Sequence, residues 1–135
     1  MDTPPALPPR RTAAALVEEA RARIRELSAE RVRALDPATT VVVDIRDVRE
    51  RAKARIPGSI HAPRGMLEFW WDPESPYHRD AFADPAKTYV LHCAMGWRSA
   101  LAADALRAMG FDVAHMEGGL DAWIAAGGPV ETPEG

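Results

Sequence analysis

Two stretches of the chain carry the most continuous apolar patterning. "VVVDI" (41–45) and "TYVLHC" (88–93) are β-branched or apolar runs without polar alternation, the pattern of strands buried on both faces. Elsewhere the apolar positions recur at helical spacing. "TAAALVEEARARI" sets Leu16, Val17, Ala20 and Ile24 on one stripe, and "SALAADALRAM" does the same with residues 101, 102, 105, 106 and 109 before Gly110. Ser28 ahead of "AERVRAL" predicts a capped helix, because a serine oxygen accepts from a free first-turn amide. "RDVRERAKARI" predicts a short helix stopped by Pro57 and Gly58, and "LDAWIAA" a last one ending at Gly127 and Gly128. "IREL", "SIHAP" and "VAHM" fill the gaps as shorter strands. Strands alternating with helices predict an α/β fold: a central, mainly parallel sheet with helices on both faces. Ligands of such sheets bind at the carboxyl ends of the strands. Asp44 and Arg46 fall at one such end and Cys93 at another.

Residues 1–11 are proline-rich and predict a flexible arm, leaving one domain over 12–131. Residues 64–87 are expected to be irregular, with Phe69, Trp70, Trp71 and Tyr77 set among prolines that forbid a long helix or a central strand. This segment is expected to be a flap that buries its aromatics, crosses the carboxyl edge of the sheet and brings at least one of them to the Cys93 loop. Lining of the pocket mouth beside Trp97, or self-association, are the other ways to cover those rings.

Composition narrows the function. A net charge of −3 offers no electrostatic case for nucleic acid or an anionic membrane, and the apolar runs are too short to span a bilayer. The start "DTPPALPPRR" has no apolar signal core. The single cysteine excludes an internal disulfide and a cysteine-based metal cage, and a reducing, cytoplasmic location is expected. His61, His78, His92 and His115 are scattered without metal-ligand spacing, so structural or solvent roles are expected for them, and no metal or cofactor is called for.

The remaining chemistry lies in "LHCAMGWRS" (91–99). A lone cysteine at a strand end is often a small buried hydrophobe. Here, however, a helix start and Arg98 follow it, and both features stabilise a thiolate. Gly96 permits a sharp turn that aims successive amides inward, which would cradle an anion without a metal. The residues therefore point to a nucleophilic Cys93 in an anion cradle.

Four segments in order resemble the single-domain rhodanese family of sulfurtransferases, over about residues 24–131. "VVVDIRDVRE" looks like the family's strand-end Asp-x-Arg segment, "ARIPGSIHAP" is similar to its Gly-His-Ile-Pro-Gly-Ala-Ile stretch, "CAMGWRS" matches its Cys-x-x-Gly-x-Arg-Ser loop, and "EGGLDAWIAAGGPV" looks like its Gly-Gly-x-x-x-Trp signature. Ala94 stands where the family usually has an arginine, and Ala54-Arg55 where it has Gly-His. The resemblance implies a rhodanese-like fold and transfer of a sulfane sulfur from a donor such as thiosulfate to cyanide or a thiol. Cys93 would be the catalytic nucleophile. Ala94, Met95, Gly96, Trp97, Arg98 and Ser99 would bind the substrate, with Arg98 anchoring the anionic donor. Asp44 and Arg46 would support the loop; Glu50, four residues after Arg46, reads as a local helix contact. Implied partners are a small sulfur donor and acceptor, with a protein acceptor as a variant. Monomer and homodimer stay open. Three alternatives stand beside this reading: a phosphatase or arsenate reductase of the same fold, a non-enzymatic binding module, and a carrier served only by a protein donor. Phosphatases that resemble rhodaneses have a Cys-to-Arg loop one residue longer, and an arsenate reductase would benefit from a second thiol.

Overall fold

The computed structural model describes residues 2–133. Five strands form one sheet: β1 (Arg25–Leu27), β2 (Thr40–Asp44), β3 (Ile60–His61), β4 (Thr88–His92) and β5 (Ala114–Met116), in the order β1-β5-β4-β2-β3. Every pairing within it is parallel, so the expected α/β class with a parallel sheet is the one found. The helices are α1 (Ala13–Arg23), α2 (Ala29–Ala34), α3 (Val48–Lys53), α4 (Leu67–Trp71), α5 (Trp97–Ala108) and α6 (Gly119–Ala125).

The alternation of side chains along a strand assigns the two faces. On one face, Val43 and Leu91 meet Leu67 and Trp71 of α4 and Ala102, Ala103 and Leu106 of α5, and Cys93 belongs to this cluster. On the other, Val90, Ala114 and Met116 meet Ala29 and Val32 of α2 and Leu120 and Trp123 of α6. Burying each large aliphatic side chain stabilises the fold by about 1.5–3 kcal/mol. The Ser28 cap agrees with the sequence, its Oγ accepting from the Arg31 amide at 3.2 Å; at α3 the structure adds Asp47 as N-cap, with Glu50 completing a capping box.

The 64–87 segment differs in part from expectation. A 3-10 turn, Arg64–Met66, leads into the one-turn helix α4. This helix lies between Pro63 and Pro73, with no proline inside it. Its spacing of four puts Leu67 and Trp71 on one buried face. Trp71 packs edge-on against Tyr89 at 4.8 Å and against Phe82 at 5.1 Å. Phe69 and Tyr77 are exposed. The segment thus packs on the sheet near the start of β4 as a flap, with Trp71 in the same buried cluster as Cys93 while Phe69 and Tyr77 stay outside it. No described helix is long and apolar enough to cross a membrane.

Candidate active site

Cys93 follows β4 directly, and α5 begins four residues later. The sulfur is buried, with 1% of the residue exposed. The amide of Gly96 donates to Sγ at 3.1 Å and that of Ser99 at 3.4 Å. Both lie at the start of α5, where unpaired amides and the helix dipole favour a negative charge. Gly96 makes the turn with a φ of +107°, and a Cβ there would press on the Gly118 amide nitrogen at 3.2 Å.

The other side of the loop is held by α6. Leu120 N–H donates to the Cys93 carbonyl at 2.9 Å and Asp121 N–H to the Ala94 carbonyl at 3.1 Å. The Cys93 and Ala94 carbonyls are drawn toward α6 while the Gly96 and Ser99 amides face the sulfur. Gly119 lets the two backbones come this close, since a Cβ on it would lie 2.5 Å from the Cys93 carbonyl oxygen. Ala94 is half-buried, Gly96 and Ser99 are buried, and Met95, Trp97 and Arg98 are exposed on the rim.

Asp44 and Arg46 sit beside the loop without reaching the sulfur through any hydrogen bond. The Arg46 guanidinium grips the Asp44 carboxylate at 3.0 and 2.9 Å, and the Arg46 amide adds a bond at 3.0 Å. Arg51 binds the same carboxylate at 3.1 Å. Arg46 also donates to the Ala54 carbonyl at 2.7 Å, tying the end of α3 to the end of β2. Burial pushes the Asp44 carboxyl upward, but the Arg46 hydrogen bonds and the neighbouring positive charges outweigh it and hold it below the ordinary aspartate value. The pair shapes the strand end on which the loop rests: Ile45 N–H donates to the His92 carbonyl at 3.1 Å.

The histidines divide. The His61 ring donates to the Arg46 carbonyl at 2.7 Å and that of His78 to the Trp70 carbonyl at 3.0 Å, both structural bonds. His92 lies across from Asp44 in the β2–β4 register, on the face away from Cys93, and its Nε2 finds no hydrogen-bond partner among the described residues. Burial pushes its imidazole below the ordinary value. His115 is buried and bonded at both ring nitrogens. Its Nδ1 is 2.9 Å from Ser99 Oγ, which lies 3.5 Å from Cys93 Sγ, and its Nε2 is 2.9 Å from Glu26. Among the described residues no group of three His, Cys, Asp or Glu side chains could hold a metal.

Glu50 is a second addition to the site. It does not pair with Arg46; it reaches across to Arg98 with two hydrogen bonds of 2.8 and 3.0 Å. The Glu50 hydrogen bonds raise the Arg98 guanidinium further above its ordinary value, with the Cys93 sulfur contributing less. The cation of the loop is therefore already held by an anion.

The fold has counterparts among known proteins. The model of the rhodanese-like domain family matches residues 28–126. This chain belongs to the rhodanese-like domain family. Among solved structures, a Rhodopseudomonas palustris protein of unknown function, named as a possible tyrosine phosphatase, is 44% identical, with a TM-score of 0.83 over 96% of this chain and 100% of that one. A rhodanese-related protein from Thermoplasma volcanium is 28% identical, with a TM-score of 0.66 over 81% of this chain and 99% of that one. A thiosulfate sulfurtransferase from Pseudomonas aeruginosa is 28% identical, with a TM-score of 0.73; it is matched over 90% of this chain but only 23% of its own length. No curated protein matches.

Proposed function

We propose that this rhodanese-like chain is a sulfurtransferase working through a persulfide on Cys93. The observation that carries the reading is the buried sulfur held by the Gly96 and Ser99 amides inside a loop closed by Arg98. The Cys93 thiolate attacks the outer sulfur of an anionic donor such as thiosulfate. A bond forms between the two sulfurs, the bond from the outer sulfur to the sulfonate breaks, and sulfite leaves with the electron pair. Cyanide or a thiolate then takes the outer sulfur and returns Cys93 as thiolate. A single nucleophile suffices for this two-step exchange, which suits a chain with one cysteine. The amides that hold Sγ are set to stabilise the anionic persulfide, as an oxyanion hole stabilises an alkoxide. A reducing compartment keeps such a thiol available.

The name of the Rhodopseudomonas protein favours a second reading, phosphate-ester hydrolysis. Four residues, 94–97, separate Cys93 from Arg98, a short cradle for a tetrahedral phosphate. The test is an assay of thiocyanate formation from thiosulfate and cyanide beside hydrolysis of an aryl phosphate. Thiocyanate without phosphatase activity is expected; hydrolysis of the ester without thiocyanate would favour the phosphatase.

Arg98 and Glu50 give this reading a directional check. An anionic donor competes with Glu50 for the guanidinium. Arg98→Ala is expected to lower kcat/KM for thiosulfate by about 1.5–3 kcal/mol, the worth of a charged hydrogen bond. Glu50→Gln keeps an oxygen for the Asp47 amide but loses its charge, so KM for thiosulfate falls. The pair is half-exposed and its own worth only about 0–1 kcal/mol, so the fall is a few-fold. Equal KM values in the wild type and both variants would show that the loop amides alone bind the donor.

A further inference from the structure

We infer that Ser99, His115 and Glu26 form a proton relay that takes the proton from the Cys93 thiol and holds it beside the sulfur during reaction. The inference rests on the reading of Cys93 as the nucleophile. The parallel register pairs Leu91 with His115 and Glu26 with His115, so the histidine and glutamate point to the same face of the sheet as the cysteine cluster. Ser99, near the start of α5, bridges the gap. The chain of contacts is Cys93 Sγ to Ser99 Oγ at 3.5 Å, Ser99 Oγ to His115 Nδ1 at 2.9 Å, and His115 Nε2 to Glu26 Oε2 at 2.9 Å. Cys93, Ser99 and His115 are buried. A bond to a carboxylate requires Nε2 to carry a proton, which leaves Nδ1 as an acceptor for the Ser99 hydroxyl.

The step balances without any other reagent. The Sγ–H bond breaks and its electron pair stays on sulfur. That proton goes to Ser99 Oγ while the serine's own proton passes to His115 Nδ1. The product is a thiolate and an imidazolium, the latter donating Nε2–H to Glu26. In both half-reactions the negative charge stays on the sulfur chain, so the imidazolium remains its counter-charge throughout the cycle.

The groups facing His115 are consistent with this role. Burial pushes its imidazole below the ordinary value, against the raising effect of the Glu26 hydrogen bond, so the resting ring is a neutral base. Burial raises the Glu26 carboxyl, but the hydrogen bonds from His115 and Arg21 outweigh it and keep it ionised. Arg21 of α1 binds Glu26 at 3.0 Å, lies 3.3 Å from Glu18 and reaches Glu117, just beyond β5, at 3.5 Å. Arg21 opposes an imidazolium, while Glu26 and Glu117 favour one. A cleft of about 230 Å³ over Glu26 and His115, rimmed by Met95 and Trp97, gives the outer end of the relay access to solvent.

The test is the pH dependence of Cys93 alkylation by iodoacetamide, which requires no sulfur transfer. Since only the thiolate reacts, His115→Gln is expected to alkylate roughly tenfold more slowly near neutral pH and to match the wild-type chain in strong base. Glu26→Gln should move the profile in the same direction by less. Profiles of both folded variants that overlay the wild type at every pH would overturn the relay. If His115→Gln does not fold, the wild-type protein decides by nitrogen NMR of the His115 ring. The ring is expected to be protonated while Cys93 is a free thiolate and neutral once Cys93 is alkylated; the same ring state before and after would overturn the relay. A shifted alkylation profile in a protein that takes no sulfur from thiosulfate would sink the sulfurtransferase reading and leave the relay standing. Sulfur transfer with an unshifted profile would do the reverse.

Discussion

Cys93→Ser folds like the parent protein and forms no measurable thiocyanate from thiosulfate and cyanide. The hydroxyl is smaller than the thiol and still accepts from the Gly96 and Ser99 amides, which reach the present sulfur at 3.1 and 3.4 Å. Melting should therefore shift little, by the equivalent of about 1 kcal/mol, the net worth of an ordinary hydrogen bond. Activity falls at least about a thousandfold, because a serine at this position forms no persulfide and no other residue supplies the covalent step. Steady-state kinetics and thermal melting on the same preparations check both halves. Thiocyanate formation retained at the parent rate would rule out a covalent intermediate on residue 93.

Asp44→Ala costs about 3–5 kcal/mol of stability, the second large effect expected, because it strands buried positive charge. Arg46 and Arg51 both direct guanidinium nitrogens at the Asp44 carboxylate, at 2.9 and 3.1 Å, and the carboxylate is 0% exposed. The pH dependence follows from the direction of the shift. The folded carboxyl titrates below the unfolded one, so its contribution is complete above the unfolded value of about 3.9 and is lost as pH falls through the lower folded value. Urea unfolding of the wild type at neutral and acid pH should show that loss, and the Asp44→Ala protein should lack this part of it. A variant within about 1 kcal/mol of the wild type at neutral pH would mean that the arginines find water or other partners when the carboxylate is gone.

Much of the architecture was legible because it follows from local pattern. The runs at 41–45 and 88–93 are strands buried on both faces, and Ser28 and Gly96 act within a few residues of their own positions. The cysteine loop was legible for the same reason, since the turn glycine and the helix start are neighbours of Cys93 in the chain. What the sequence hid was long-range. Glu26 meets His115 across a separation of 89 residues, through a β1–β5 register that no local pattern specifies. Glu50 meets Arg98 across 48, and its spacing from Arg46 suggested a nearer partner that it does not take. One signal for the first pair was present. Glu26 in "IREL" and His115 in "VAHM" are each a polar residue inside a short strand of a two-faced parallel sheet, and such a group must find a buried partner. Helix α4 was hidden for another reason: one turn is too short for periodicity to reveal, and its stability comes from Leu67 and Trp71 packing on the sheet.

The central claim is that Cys93 carries sulfur as a persulfide. Mass spectrometry of the intact protein after exposure to thiosulfate, followed by peptide mapping, tests it most directly. The account predicts a gain of one sulfur atom, located on the peptide containing Cys93, that disappears when cyanide is added. An unchanged mass after thiosulfate, or a gain on any other peptide, would contradict it.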